Sequence, residues 1–312
     1  MMKILIVVLA VSAALLLGGC DTIRVNGGDG SEIGILVDGT ASGSVHNDDR
    51  ATGADGTSIA VGNFDSGTGD VIAYTVGHAP TLASATWTAN ADAITVAFEP
   101  KYRVKFKVWV VQGPFADGQT KAVNACIRTS QIWRDERQGT GFSTFDIVDS
   151  TGNATAANYT AFDCSKVAGI KADIGFDNAA VNTYWVNTVD FGSGAATSNG
   201  VWCGGNVLAM GWNTLDHLFS HEVGHAFSLD HVNSLTTFFD TTNVMHNASN
   251  SRSFLTEGQT FRAVVNSGSV VNSLAGRTTP TRNCGNTTAT NDAACPAVQK
   301  RIWADGAAWA PN

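Results

Sequence analysis

Basic residues are scarce in these 312 residues: 19 Lys and Arg stand against 27 Asp and Glu, for a formal net charge of −8. Without residues 1–19 the chain loses Lys3 and no acid, and the charge moves to −9. That balance argues against nucleic acid as a partner, because neutralising phosphates takes clustered Lys and Arg. Beyond Leu17 no apolar run is long enough to span a bilayer. No cysteines stand in zinc-ligand spacing, so a metal site built on thiolates is not expected. Histidine is scarce too, seven in all, yet His217, His221, His225, His231 and His246 fall within thirty residues. Scattered structural histidines do not cluster in this way.

Residues 221–231 read His-Glu-Val-Gly-His-Ala-Phe-Ser-Leu-Asp-His. On a helix, His221 and His225 share one face, separated by about 6 Å of rise. His231 cannot join them if the helix continues, since six more residues turn it roughly 240° from His225. The chain must therefore break after the second histidine and swing back. Three imidazoles then face one Zn²⁺, and the Glu222 carboxylate stands beside the water that the ion activates.

This stretch resembles the metzincin signature H-E-x-x-H-x-x-G-x-x-H, and HEVGHA and LDH are most similar to its matrixin branch. The resemblance implies a zinc-dependent endopeptidase with His221, His225 and His231 as metal ligands and Glu222 as general base. It also implies a methionine in a tight turn beneath the metal, and Met245, in Thr242-Asn243-Val244-Met245-His246, takes that place. The implied fold is α+β: a twisted, mostly parallel sheet, two long helices and a smaller C-terminal subdomain. Two departures stand out. Ser228 replaces the usual glycine, at a left-handed position where a Cβ costs roughly 1–2 kcal/mol. His246 and Asn247 follow Met245 where some branches place tyrosine. The cysteine of matrixin latency motifs is also missing, because no cysteine lies between Cys20 and Cys126. The resemblance covers about residues 100–268, and only 221–245 is specific.

Other ligand sets are weaker on geometry. A 217/221/225 triad would spread its outer members about 12 Å along the axis, too far for bonds near 2 Å to one ion, so His217 is expected to pack beside the site. The only glutamate after Glu222 is Glu257, the alternative third ligand; its segment reads better as a helix start, with Thr256 and Gln259 as a capping box. The reading from a different class is a non-catalytic surface-binding lipoprotein with a structural zinc site, against which Glu222 speaks.

Residues 1–19 read as a signal peptide: Lys3, an apolar stretch from Ile4 to Leu17, then Leu17-Gly18-Gly19-Cys20, which resembles the bacterial lipobox. That resemblance implies lipidation of Cys20 and a place at the bacterial cell envelope, lipid-anchored to a membrane and facing the periplasm or exterior. Disulfides are expected there. Cys284 and Cys295 are the first candidate pair; the pairing among Cys126, Cys164 and Cys203 stays open, and the odd count leaves one thiol over.

Residues 20–99 are rich in Gly and Asp and read as a tether with a small β-rich region, with strands at 58–61, 71–76 and 93–98. Their Gly/Asp runs only loosely resemble Ca²⁺-binding repeats and sustain no period. The catalytic domain spans 100–275, opening on a strand whose Tyr102, Val104, Phe106, Val108 and Val110 alternate with basic residues. A helix over 119–137 follows, with Val123, Cys126, Ile127 and Ser130 on its stripe, and then strands at 145–148, 181–189 and 206–210. The metzincin resemblance implies that the cleft edge pairing with a protein or peptide substrate lies just before the Gly200–Cys203 segment, near 181–189 or in the loop after it. Residues 276–312 form a C-terminal extension.

Overall fold

The structure, a computed structural model, describes residues 102–133, 140–190, 196–197, 200–212, 214–232, 241–247, 251–255, 257–276, 281 and 283, together with the strands between 21 and 100, chiefly as backbone. Cys20, Cys284, Cys295 and the signal-peptide and C-terminal readings lie outside these residues.

The Gly/Asp-rich stretch is strand-forming from its first described residue. Strands β1 (Asp21–Asn26), β4 (Ser58–Gly62) and β8 (Ala93–Ala97) form one sheet, in the order β4-β1-β8. Strands β2 (Ile33–Gly39), β3 (Asp49–Gly53), β5 (Gly67–Thr75) and β7 (Thr81–Trp87) form a second, ordered β3-β2-β5-β7 and antiparallel throughout. Two short strands, β6 (His78–Ala79) and β9 (Glu99–Pro100), pair with each other. Ladders thus already run through the part that composition reads as tether, because Ile, Val and Thr at alternate positions suffice to pair strands despite the glycines.

The larger sheet carries the site. β10 (Tyr102–Val110) leads into α1 (Phe115–Trp133) and then β11 (Thr140–Asp149). After β12 (Ala161–Phe162) and α2 (Val167–Asp173) come β13 (Val181–Val186), β14 (Thr188–Asp190), β15 (Ala196–Thr197), β16 (Gly200–Trp202) and β17 (Val207–Gly211). The order is β11-β10-β13-β17-β16, with the first four strands parallel and β16 antiparallel to β17. Parallel pairing needs a crossover connection, and α1 supplies the first. The strand predicted over 181–189 is in fact two: β13 lies inside this sheet, whereas β14 pairs with β12 and β15 in a separate small one.

The alternation in β10 does what its pattern predicts. Val104, Phe106 and Val108 are fully buried, while Arg103 is exposed and Lys105 and Lys107 half-buried. Lys105 pairs with Asp177 at 2.9 Å and Lys107 with Asp146. From Trp109 onward both faces are covered, so the sheet has a core on each side. One holds Phe106, Trp133, Phe219, Phe227 and Met245, the other Trp109, Tyr159, Phe162, Ile170 and Tyr184.

In α1 the buried stripe is one position away from the predicted one. Gly118, Ala122, Ala125, Cys126, Thr129, Ile132 and Trp133 face inward, and Ile127 is 43% exposed. The small residues let α1 approach α3 (Asp216–Ala226), and at its end the Trp133 indole N–H reaches Ser220 Oγ at 3.2 Å with its ring edge-on to Phe227. Hydrophobicity alone favoured Ile127; close helix packing selects Ala and Gly. Two short helices, α4 (Glu257–Val265) and α5 (Val270–Leu274), follow the site. No helix among the described residues is long and apolar enough to cross a membrane.

Candidate metal centre

α3 ends where the motif requires it to end. Ser228 has φ of 63°, the one non-glycine residue with positive φ among those described. The Ser228 N–H donates to the His225 carbonyl and the Leu229 N–H to the Gly224 carbonyl, both at 2.9 Å. That pair of bonds is a Schellman motif with serine in the left-handed position. It terminates the helix at Ala226, one residue past His225, and sends the chain back so that His231 faces its two companions.

The three rings converge. His231 Nε2 lies 3.1 Å from His221 Nε2 and 3.2 Å from His225 Nε2, and the three ligand atoms all fall within 4.8 Å of one another. Their far nitrogens are held: His221 Nδ1 lies 2.6 Å from the Val244 carbonyl and His225 Nδ1 lies 2.7 Å from the Leu229 carbonyl. A carbonyl oxygen only accepts, so each of these Nδ1 atoms carries the proton and each Nε2 presents a lone pair. His231 can donate one proton to one of them, never to both, whereas a shared cation satisfies all three. Fixing the outer nitrogen on a carbonyl is also how metal-binding histidines are oriented. His221, His225 and His231 can therefore hold a metal ion.

The site keeps its imidazoles neutral, as ligation requires. Burial holds His221 well below the ordinary histidine range, aided by His225 and by the Arg252 charge. Burial lowers His225 to about 4, with His231 adding to the effect, and His231 shifts the same way through burial and Arg252. Glu222 is buried beside them, and burial pushes its carboxyl up to about 8, against a hydrogen bond from the Trp202 backbone N–H and the Arg252 charge.

Met245 is fully buried and packs against α3 at Gly224. A Cβ at Gly224 would collide with its sulfur, so glycine between the two helical histidines lets the methionine seat against α3. The surrounding turn is tied down: the Asn243 side-chain oxygen accepts from Met245 N–H at 2.9 Å, and the Val232 N–H donates to the Met245 carbonyl at 3.1 Å. Gln259 pairs amide to amide with Asn243, at 2.8 and 2.9 Å. This fastens α4 to the turn, a role different from the capping box predicted for Gln259; Thr256 lies outside the described residues. The side chain of Glu257 is likewise not among those described.

Sequence reasoning missed two contributors, Arg252 and Trp202. Arg252 is 4% exposed and donates to the His246 carbonyl through Nε and Nη2 at 3.1 and 2.8 Å, and to the Asn247 carbonyl at 3.1 Å. Its Nη1 lies 3.4 Å from His217 Nδ1, so His217 packs beside the site and outside the ligand cluster, as its spacing predicts. Trp202, 37% exposed, lays its indole beside the His225 ring at 6.4 Å between centroids and an interplanar angle of 22°. Cys203 next to it is bonded to Cys164, which leaves Cys126 as a buried free thiol, its pKa pushed up to about 12 by burial.

The expected cleft edge needs correction. β13 is hydrogen-bonded on both sides, to β10 and β17, and all six residues are buried. The strand at the margin of the sheet beside the cluster is β16. Val181–Val186 reads Val-Asn-Thr-Tyr-Trp-Val, and the two polar residues, Asn182 and Thr183, interrupt the apolar run that would have marked a central parallel strand.

No family model matches this chain, and no curated protein matches it. Among solved structures, a chain of a chaperone–substrate complex superposes on 70% of this chain at 15% identity and a TM-score of 0.35, and the match takes in 38% of that chain's own length. A likeness of that size carries no argument.

Proposed function

We propose that this protein is a zinc-dependent endopeptidase of metzincin type. The observation that carries the reading is the convergence of the His221, His225 and His231 Nε2 atoms, with Glu222 buried next to His221 on α3. Neutral imidazoles in this number suit zinc, which leaves a fourth position for water or substrate. When bound, zinc supplies Lewis acidity at that position, lowering the pKa of water and polarising a carbonyl.

Glu222 supplies the proton traffic. It would take a proton from the attacking water and hand it to the leaving amine, a general acid–base role that needs the carboxylate form, which a bound dication beside it favours. The Trp202 N–H fixes one of its oxygens. The outer edge of β16 offers its backbone to an extended peptide, adding a strand to the sheet. A structural zinc site would have no use for a carboxyl placed there. The lipobox-like Leu17–Cys20 segment would anchor this activity at a bacterial envelope, and loss of acyl labelling in Cys20→Ala tests that.

The central test is incubation of the zinc-loaded protein with a peptide library, with and without chelator. Chelator-sensitive cleavage is expected, and Glu222→Gln should keep zinc and lose roughly 10²–10⁴-fold in rate. A Glu222→Gln variant that cleaves at the wild-type rate removes Glu222 from this role.

A further inference from the structure

Several observations meet at one exposed hairpin. β16 is only three residues long and is bonded to β17 at the margin of the sheet. Gly200, at its start, packs so closely that a Cβ there would lie 2.8 Å from Glu222 Cγ. Trp202, at its end, gives its N–H to Glu222 and its ring to His225. The turn that follows passes through Gly204 and Gly205, both at positive φ. Cys203 ties the hairpin covalently to Cys164, 39 positions earlier, at the start of a turn in the layer on the opposite face of the sheet from α1 and α3. Cys164 is exposed, and a thiol in solution can reach it.

By contrast, the hydrogen bonds and the turn that place the three histidines lie outside β16, whose Trp202 only stacks on His225. His221 rests on Val244, His225 on Leu229, and His231 is placed by the Ser228 turn. Metal binding and the alignment of Glu222 thus depend on different parts of the fold.

We propose that the Cys164–Cys203 disulfide is a positioning device for Glu222, and that its reduction by a dithiol lowers peptide cleavage while leaving the metal bound. The proposal rests on the peptidase reading. One thiolate of the dithiol attacks the Cys164 sulfur, the S–S bond breaks, and Cys203 leaves as a thiolate that takes a proton. The second thiol of the reductant then attacks the mixed disulfide, so that Cys164 also leaves as a thiol and the reductant departs as its cyclic disulfide. Two electrons and two protons pass to the protein. The short edge strand is then held by its ladder with β17 and by the Cys203 N–H bond to the Val207 carbonyl, and the Trp202 N–H bond to Glu222 loses its covalent backing.

The test compares the zinc-loaded full chain in its oxidised form, after dithiol treatment and thiol alkylation, and as Cys164→Ser/Cys203→Ser. The double variant never meets reductant and so guards against stripping of metal. In both modified forms kcat should fall at least about tenfold with KM changed less than about threefold, the signature of a lost transition-state contact. Zinc should stay at one ion per chain, and amide exchange over 200–203 should speed up at least about tenfold. Reoxidation of reduced, unalkylated protein should restore kcat. Equal kcat in all forms overturns the proposal, as does a loss of zinc that accompanies the loss of activity. If the oxidised, zinc-loaded chain cleaves nothing, the peptidase reading fails; unchanged exchange over 200–203 then sinks the positioning role on separate grounds.

Discussion

His225 and Glu222 titrate in opposite directions, and together they give the metal-free protein a defined pH optimum of stability. Between about 4 and the ordinary 6.5, an unfolded chain protonates His225 and the folded chain does not, so acidification through that window destabilises. His221 and His231 act with the same sign. Glu222 works the other way: from its ordinary 4.5 to about 8 the folded chain holds the proton, so raising the pH through that range destabilises. Three histidines outweigh one carboxyl below 6.5, and the carboxyl acts alone above it. Thermal unfolding with chelator should therefore show a maximum Tm near pH 6.5. With zinc the alkaline fall should vanish, because a dication beside Glu222 stabilises its charged form. A Tm that climbs steadily from pH 5 to 8 in chelator would contradict this. The meeting of the three histidines was legible because imidazoles at offsets of four and ten can meet only if the helix breaks between them. Arg252 was not legible: a lone arginine in a polar segment gives no signal until its carbonyl partners are known.

At the scale of elements, the Ser228 turn carries strain and the Met245 turn carries fit. A serine at φ 63° pays a steric penalty that glycine avoids, while glycine loses more backbone freedom on folding. Ser228→Gly should therefore stabilise by roughly 0.5–1 kcal/mol, the difference between the two effects, as read by denaturant unfolding; a destabilised variant would mean that the Ser228 hydroxyl matters more than its backbone. Gly224→Ala drives a methyl group into the Met245 sulfur and should cost about 1–3 kcal/mol and weaken zinc binding. Unaltered zinc affinity in that variant would separate the methionine from the metal site. The turn was predictable because helix geometry demands a reversal there. The stripe of α1 was displaced by a residue because periodicity ranks Ile127 above Ala122 and Ala125, and closeness of packing against α3 does not appear in a hydrophobic pattern. The cleft edge was misplaced because strand order is a property of the whole sheet.

For the molecule as a whole, a mostly parallel sheet with a core on each face carries, near the margin where β16 lies, a histidine cluster that could hold a metal ion. The α+β class and the parallel sheet follow from the alternation of strands and helices beyond residue 100, and the strands over 58–62, 67–75 and 93–97 from β-branched runs. The pairing of Cys164 with Cys203 could not be read, since three cysteines allow three pairings and only the fold brings two of them together. What the molecule does still hangs on the metal. X-ray absorption at the zinc edge, recorded on the loaded and desalted protein, addresses it directly. The account predicts three imidazole nitrogens at about 2.0–2.1 Å with one further light-atom ligand; a shell with sulfur in it, or with fewer than three imidazoles, would contradict it.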